Sequence, residues 1–372
     1  MSYSASRRSF APVSLVALSL ALAGGGCSGE SATNGGSAPD NTGGSFGGTG
    51  GVVTSTGGAP AGVGGATGGS ESMASGGETN TGGTGGTEEE TDPNAPIQAD
   101  PGDEGDGVFE DPGPYPLSPE ASGPIDDAPK GHLSSTQTFT SPAVYAGWTF
   151  DYQIFVPAQY EAGKPAALAV FQDGVGAYGG IGVMQMFENL IHSGEMPVTI
   201  VLFVSPGSGG RSENYDVVSD RYGRFLLEEM IPDVLADYDL VDDPNGWAIA
   251  GFSSGGSAAF TVAWFFPDNF RKVSTNSGSF VSIRTAHEFP QMIRDTEPKP
   301  LRVTLRSGTA DLDNQFGSWL DANFAMAAAL EEKGYHYRFT HGTGGHDMKH
   351  AAKDMVEEWR WLWRGFSLPY YD

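Results

Sequence analysis

Trp247-Ala-Ile-Ala-Gly-Phe-Ser-Ser-Gly-Gly-Ser-Ala-Ala-Phe-Thr-Val-Ala-Trp264 is the stretch on which the reading of this 372-residue chain turns. Residues 247–252 form a short apolar run, as a buried strand does. From Ser254 to Phe266 small and apolar residues continue long enough for a helix, which Pro267 stops. Between the two, Gly251-Phe-Ser-Ser-Gly255 matches Gly-x-Ser-x-Gly. In a strand–turn–helix joint this tight, the positions two before and two after the serine must lack bulky side chains. Ser253 is then expected in a strained backbone conformation with its hydroxyl pushed out over the sheet. The N–H of Ser254, at the helix start, faces any anionic oxygen bound there. The same pattern recurs at Gly43-Gly-Ser45-Phe-Gly47, with no strand before it and no helix after. In a chain with 55 glycines, the context carries the signal and the bare pattern does not.

Outward from this joint, strand-like and helix-like stretches alternate. Strands are expected at 148–156, 166–171, 198–204, 247–252, 273–276, 301–307 and 335–340. Helices are expected at 182–192, 222–238, 254–266, 319–333 and 351–363, with Pro232 bending or restarting the second. This alternation predicts an α/β fold with a mostly parallel central sheet and helices on both faces. Sites in such sheets form at the carboxyl ends of strands, so the loops after Phe171, Val204, Phe252, Ser307 and Thr340 are where chemistry is expected.

A serine needs a base to take its proton. Of seven histidines, His346 lies on the glycine loop Thr343-Gly-Gly-His346 after the last expected strand. His341 and His350 are its neighbours and competitors. His346 and His350, four apart, also admit a zinc reading, but the Glu of a His-Glu-x-x-His pattern and a clear third ligand are missing. For the acid, Gly308-Thr-Ala-Asp311-Leu-Asp313 follows the expected strand 301–307. Asp311 is the first choice and Asp313 the fallback, and whichever is not the acid would cap the next helix. The chain order Ser253, Asp311, His346 is the hydrolase order among triad proteins.

The amino-terminal third reads differently. Arg7 and Arg8 precede an apolar run, Ala11 to Ala23, too short for a spanning helix and suited to a secretory signal core. Gly24-Gly-Gly-Cys27 then resembles a bacterial lipoprotein cleavage box, with Gly24 where an aliphatic residue is usual. Residues 1–27 are read as a signal peptide with Cys27 as the lipidated residue. Residues 28–130 are read as a low-complexity disordered linker, glycine- and acid-rich and then proline-rich. The folded domain is placed at 131–372. The chain is expected to be exported and to meet a membrane only through a lipid anchor. The formal charge of −26 argues against a general nucleic-acid footprint. A single cysteine excludes an internal disulfide framework and multi-cysteine metal sites.

With Phe171-Gln-Asp-Gly174, Arg211 with Tyr215-Asp216, Tyr222 to Pro232, Gly251 to Gly256, Gly308-Thr-Ala-Asp311, Gly344-Gly-His346 and Trp361-Leu-Trp363 in view, the chain resembles the esterase D branch of the α/β-hydrolases. Feruloyl esterases, enterochelin-esterase-like proteins and antigen-85 mycolyltransferases belong to that branch. The resemblance covers nearly all of residues 140–366. It implies the α/β-hydrolase fold and no metal or organic cofactor. It also implies a second oxyanion donor in the loop after Phe171, the backbone N–H of Val175, beside that of Ser254. The pattern Arg211-Ser-Glu-Asn214-Tyr215-Asp216 departs from its relatives at Asn214, where they carry an acid. The expected activity is ester hydrolysis through an acyl-enzyme on polysaccharide- or siderophore-linked or small carboxylic esters. Acyl transfer to an alcohol is the alternative, and a non-catalytic binding lipoprotein on the same scaffold is the third reading.

Overall fold

The computed structural model describes residues 95–371. The proposed signal peptide, Cys27, Ser45 and most of the proposed linker lie outside the described residues. Ten strands form the main sheet: β1 (Gly107–Asp111), β2 (His132–Leu133), β3 (Gln137–Thr140), β4 (Thr149–Val156) and β5 (Ala167–Gln172), then β6 (Thr199–Val204), β7 (Trp247–Phe252), β8 (Lys272–Asn276), β9 (Arg302–Ala310) and β10 (His336–Gly345). The spatial order is β1-β10-β9-β8-β7-β5-β6-β4-β2, with β3 also on β4. The seven strands from β1 to β6 in that order pair in parallel, and β4 turns the sheet antiparallel at its far side. Every residue of β5 and β6 is buried. Successive strand residues point to opposite faces, so both faces of the sheet are covered there. This is the α/β-hydrolase fold expected from the sequence.

Three helices matter for the site: α1 (Val175–Tyr178) after β5, α2 (Val183–His192), and α3 (Ser254–Phe265) after β7. All of α3 except Phe265 is buried, which explains why it carries no charged residue and why the Ser257 and Thr261 hydroxyls turn back onto the helix's own carbonyls, Ser254 O and Ser257 O. The chain runs from β5 outward to β6 and returns to β7 on the other side of β5. That reversal of strand order falls at β5 and β7, and α/β sheets place their ligands at the carboxyl ends of the strands at such a point. The helical segment expected over 222–238 ends at Val234. It widens into a π turn at Phe225–Met230, just ahead of Pro232, whose missing N–H cannot close the normal ladder.

The domain boundary at 131 is corrected by the structure. Residues 95–130, read as the end of a disordered linker, belong to the folded body. Ile97–Gln98 pairs antiparallel with Phe366–Ser367, and β1 is an edge strand in register with β10 from Arg338 to Gly342. Beyond it, the Tyr115 hydroxyl accepts the N–H groups of Thr343 and Gly344 and donates to Asp111 O, at 2.7–3.1 Å. The prolines of 112–129 are compatible with this because they follow the strand and owe no N–H to a ladder. An internal deletion of residues 95–118 should therefore cost about 2 kcal/mol or more, a fall of about 4–8 °C in thermal midpoint. It should also lower turnover, through the loop that carries His346. An unchanged midpoint by circular dichroism would show the segment to be dispensable.

Candidate active site

Ser253 has φ 59° and ψ −126°, a left-handed backbone that only strong local constraint maintains. The constraint is visible in its flanking glycines. A Cβ on Gly251 would lie 2.0 Å from Gly255 O, and one on Gly255 would lie 2.6 Å from Asp173 Oδ2. The elbow is thus closed on itself and pressed against the loop after β5. The Ser253 N–H donates to Asn276 O at 2.9 Å, which pins the turn to the end of β8.

His346 directly follows β10. Its Nε2 is 2.9 Å from Ser253 Oγ, and its Nδ1 is 2.6 Å from Asp311 Oδ1. Phe252 lies against the imidazole at 4.8 Å between ring centroids, and Trp319 meets it edge-on at 5.7 Å. Asp311 directly follows β9, with its side chain 1% exposed. Burial pushes this carboxyl up. Hydrogen bonds from His346, Ser307 Oγ (2.7 Å), the Leu312 N–H (2.8 Å) and Ser277 more than offset that and hold it below the usual carboxylate range. An ionised Asp311 accepts only, so Nδ1 carries the proton and Nε2 is left to accept from Ser253.

The fallback acid, Asp313, is exposed on the hairpin Asp313–Asn314/Gly317–Ser318. It does not cap the following helix, α4 (Trp319–Glu332), either. Ser318 does so, accepting from the Asp321 N–H. Of the competing histidines, His341 is part of β10 and packs on Phe324. His350, on α5 (Met348–Ala352), is buried against Gly308 and Gly344, and burial brings it down to about 4. Gly344 and Gly345 belong to the end of β10, and a Cβ on Gly344 would lie 2.2 Å from His350 Cγ. Gly344 thus makes room for a buried ring, while a Cβ on Gly345 would lie 3.2 Å from Ala310 O. Among the described residues no group of three or more His, Cys, Asp or Glu side chains is arranged to hold a metal ion.

Val175 and Ser254 open α1 and α3, so the amide of each sits in a first helical turn, where no intrahelical carbonyl can accept it. Asp173 (φ 73°) and Gly174 (φ 72°) turn the chain sharply into α1. A Cβ on Gly174 would meet Ser205 Oγ at 2.5 Å, so the turn fits tightly against the end of β6. Arg211 ties these loops together. It holds Asp173 through two bonds of 2.6 and 2.8 Å and donates to Phe252 O at 3.0 Å. The sequence singles out both motifs, but nothing in it says that they touch. Asn214, the departure from the pattern that the resemblance implies, is buried.

Ser279 is the residue that sequence reasoning missed. Its Oγ lies 3.2 Å from Ser253 Oγ and accepts the Trp319 Nε1–H at 3.0 Å. Ser253 gives its only proton to His346 Nε2, so Ser279 is the donor in this pair and the network runs Trp319, Ser279, Ser253, His346, Asp311. The only sequence signal was a run of small residues, Ser277-Gly-Ser279, after a strand end.

The fold and this constellation define an α/β-hydrolase. Residues 143–362, more than half of the chain, match the family described as "Putative esterase", and the chain belongs to that family. The iron(III) enterobactin esterase of Dickeya dadantii (strain 3937) is 26% identical over 190 residues, 46% of this chain and 42% of that protein. Among solved structures, the enterobactin esterase of Shigella flexneri superposes with a TM-score of 0.55 at 20% identity, over 67% of this chain and 63% of that one. A ferulic acid esterase superposes with a TM-score of 0.52 at 19% identity, over 64% of this chain and 100% of its own. The chain thus spans less than two thirds of the enterobactin esterases it resembles.

Proposed function

We propose that this protein is an exported serine esterase that hydrolyses carboxylic esters through an acyl-enzyme on Ser253. The observation that carries the reading is the continuous chain from Ser253 Oγ to His346 (2.9 Å) and on to Asp311 (2.6 Å), built on a strained elbow. Ser253 Oγ attacks the ester carbonyl carbon while His346 Nε2 takes its proton. Asp311 holds the ring and stabilises the imidazolium that forms. The N–H groups of Ser254 and Val175 receive the oxyanion. As the tetrahedral intermediate collapses, His346 returns the proton to the departing alcohol. Water then attacks the acyl-enzyme by the same route, releasing the carboxylic acid and restoring Ser253.

The family match, and relatives named for enterobactin and ferulic acid, favour siderophore lactones and hydroxycinnamoyl esters as substrate classes. Export rests on the apolar run 11–23 and on Cys27 as the lipid attachment point. The test is a panel of p-nitrophenyl, feruloyl and catechoyl-serine lactone esters offered to the full chain, with and without an added alcohol. Turnover abolished by a fluorophosphonate, with free acid as product, is the expected result. No turnover on any ester and no fluorophosphonate label would sink the reading. Metabolic labelling with palmitate, lost in Cys27→Ser, checks the anchor.

A further inference from the structure

The amino-terminal ends of the central strands, opposite the end that carries Ser253, hold a second arrangement. Lys272, Arg302 and His336 open β8, β9 and β10 and stand side by side in one row of the sheet, Arg302 in register with both neighbours. All three line a cavity of about 210 Å³, together with Arg271, Lys299 and Arg364. Among the described residues no carboxylate lines it, in a chain whose net charge is −26.

Two of these cations, Arg302 and Arg364, leave buried donors without an acceptor among the described residues. Arg302 is 7% exposed, and its Nε, Nη1 and Nη2 all lack a hydrogen-bond acceptor among the described residues. Its guanidinium carbon lies over the Trp361 ring, 4.0 Å from the centroid, a contact that leaves its charge unneutralised. Lys272 is 4% exposed, donates to Asn245 O and lies 5.0 Å from the rings of Trp363 and Phe366. Arg271 donates to Pro267 O and Asn245 Oδ1. The Lys299 ammonium faces Trp264. Arg364 reaches Gly102 O and Glu104 at the rim, and its Nε is also unpartnered. The nearby acids are committed or remote. Asp106 binds His336 Nδ1 at 2.8 Å and Trp361 Nε1 at 3.2 Å, and Asp243 binds the Asn245 amide groups.

A buried guanidinium with five donors and no acceptor is costly unless something supplies oxygens. We propose that this cavity is a binding site for a small organic anion, a carboxylate or a phosphate ester. Its charged end is held by Arg302 and Lys272, and its body lies against Leu301, Pro101 and Tyr335. The cavity is larger than a bare oxyanion needs, and between the cations it is lined by Pro101, Pro298, Pro300, Leu301 and Leu362, with Gln98 and Asn245 as polar neighbours. Burial, with Arg302 beside it, brings Lys272 down to about 7, and burial with Arg364 nearby brings Arg302 down to about 10. A bound anion would relieve both, so binding at pH 7 should draw a proton onto Lys272.

The test is calorimetric titration of the full chain with benzoate and with inorganic phosphate, at constant ionic strength set by chloride and in two buffers of different ionisation enthalpy. Saturable one-to-one binding of either probe, with proton uptake near pH 7, is expected. Binding of benzoate alone identifies a carboxylate site, and binding of phosphate alone a phosphate-ester site. Arg302→Met, which keeps a long side chain on Trp361, should weaken binding by about tenfold or more. Unchanged fluorophosphonate labelling of Ser253 will show that this variant is folded. Should it fail to fold, Arg364→Gln at the rim is expected to weaken binding by about threefold or more. No binding of either probe, or binding that survives both substitutions, overturns the proposal. Since the cavity is remote from Ser253, that outcome leaves the esterase reading untouched.

Discussion

Ser253→Ala should lower ester turnover by about 10⁴-fold or more while leaving the fold in place. The loss is large because the serine and its base act as a unit, so removing one forfeits nearly all that the set contributes. What remains is binding and whatever the Ser254 and Val175 amides stabilise without a covalent intermediate. The fold should survive because alanine keeps the Cβ, so the strain at φ 59° is unchanged and Gly251 and Gly255 still close the turn. The structural losses are the acceptor for Ser279 and the donor to His346 Nε2, neutral hydrogen bonds worth about 1 kcal/mol each. Ser45→Ala, in the second copy of the five-residue pattern, should change neither turnover nor labelling. A fluorophosphonate that still labels the Ser253→Ala protein at the wild-type rate would move the nucleophile elsewhere.

The contrast between these two serines shows what was legible in the sequence. The elbow prints its backbone demand as glycines at 251 and 255, and its setting as an apolar run before and after, so local chemistry is enough to find it. His346 and Asp311 were legible through chain order, since each follows a strand whose position the apolar pattern reveals. The edge strand Gly107–Asp111 was not. It is five residues long, Val108 on it is 46% exposed, and its partner strand begins more than two hundred residues later. Nothing local distinguishes such a strand from polar linker. It forms because β10 offers an unpaired edge, a non-local cause. The same holds for Tyr115 on the histidine loop, for Ser279 on Ser253, and for Arg211 on Asp173. Each depends on two segments meeting, and a side-chain type at one position does not name its partner. The cationic row Lys272, Arg302, His336 was hidden for a related reason. Three ordinary strand openings become a cluster only when the register of β8, β9 and β10 is known.

Asp311 and Asp313, two residues apart, should separate completely on substitution. Asp311→Ala is expected to lower turnover by about 10⁴-fold, because the imidazolium that forms during attack would lose its buried counter-charge and its orientation together. Asp313→Ala should stay within about 0.5 kcal/mol of the parent in stability and keep its turnover, since Asp313 is exposed and Ser318 supplies the helix cap. Asp311→Asn falls between, and the surroundings decide how far. Oδ1 accepts from the Leu312 N–H, which can only donate, whereas Oδ2 accepts from Ser307 Oγ, which can reverse its role. The amide nitrogen should therefore take the Ser307 side and leave its oxygen on His346. The correct tautomer would survive, and the loss would be that of a charge-assisted bond reduced to a neutral one, about 10²-fold in turnover. A fall of about 10⁴ in the Asn variant would mean instead that the nitrogen faces His346 and forces the proton onto Nε2. The carboxylate also bears on acid stability. Its folded value is lowered, so the stability it contributes is present above its unfolded value and is lost as pH falls through the lowered one. Asp311→Ala should accordingly flatten the acid limb of a thermal-midpoint profile, whereas Asp313→Ala should not. An Asp313 variant that is inactive while Asp311→Ala still turns over would reassign the acid and undo the geometry on which the mechanism rests.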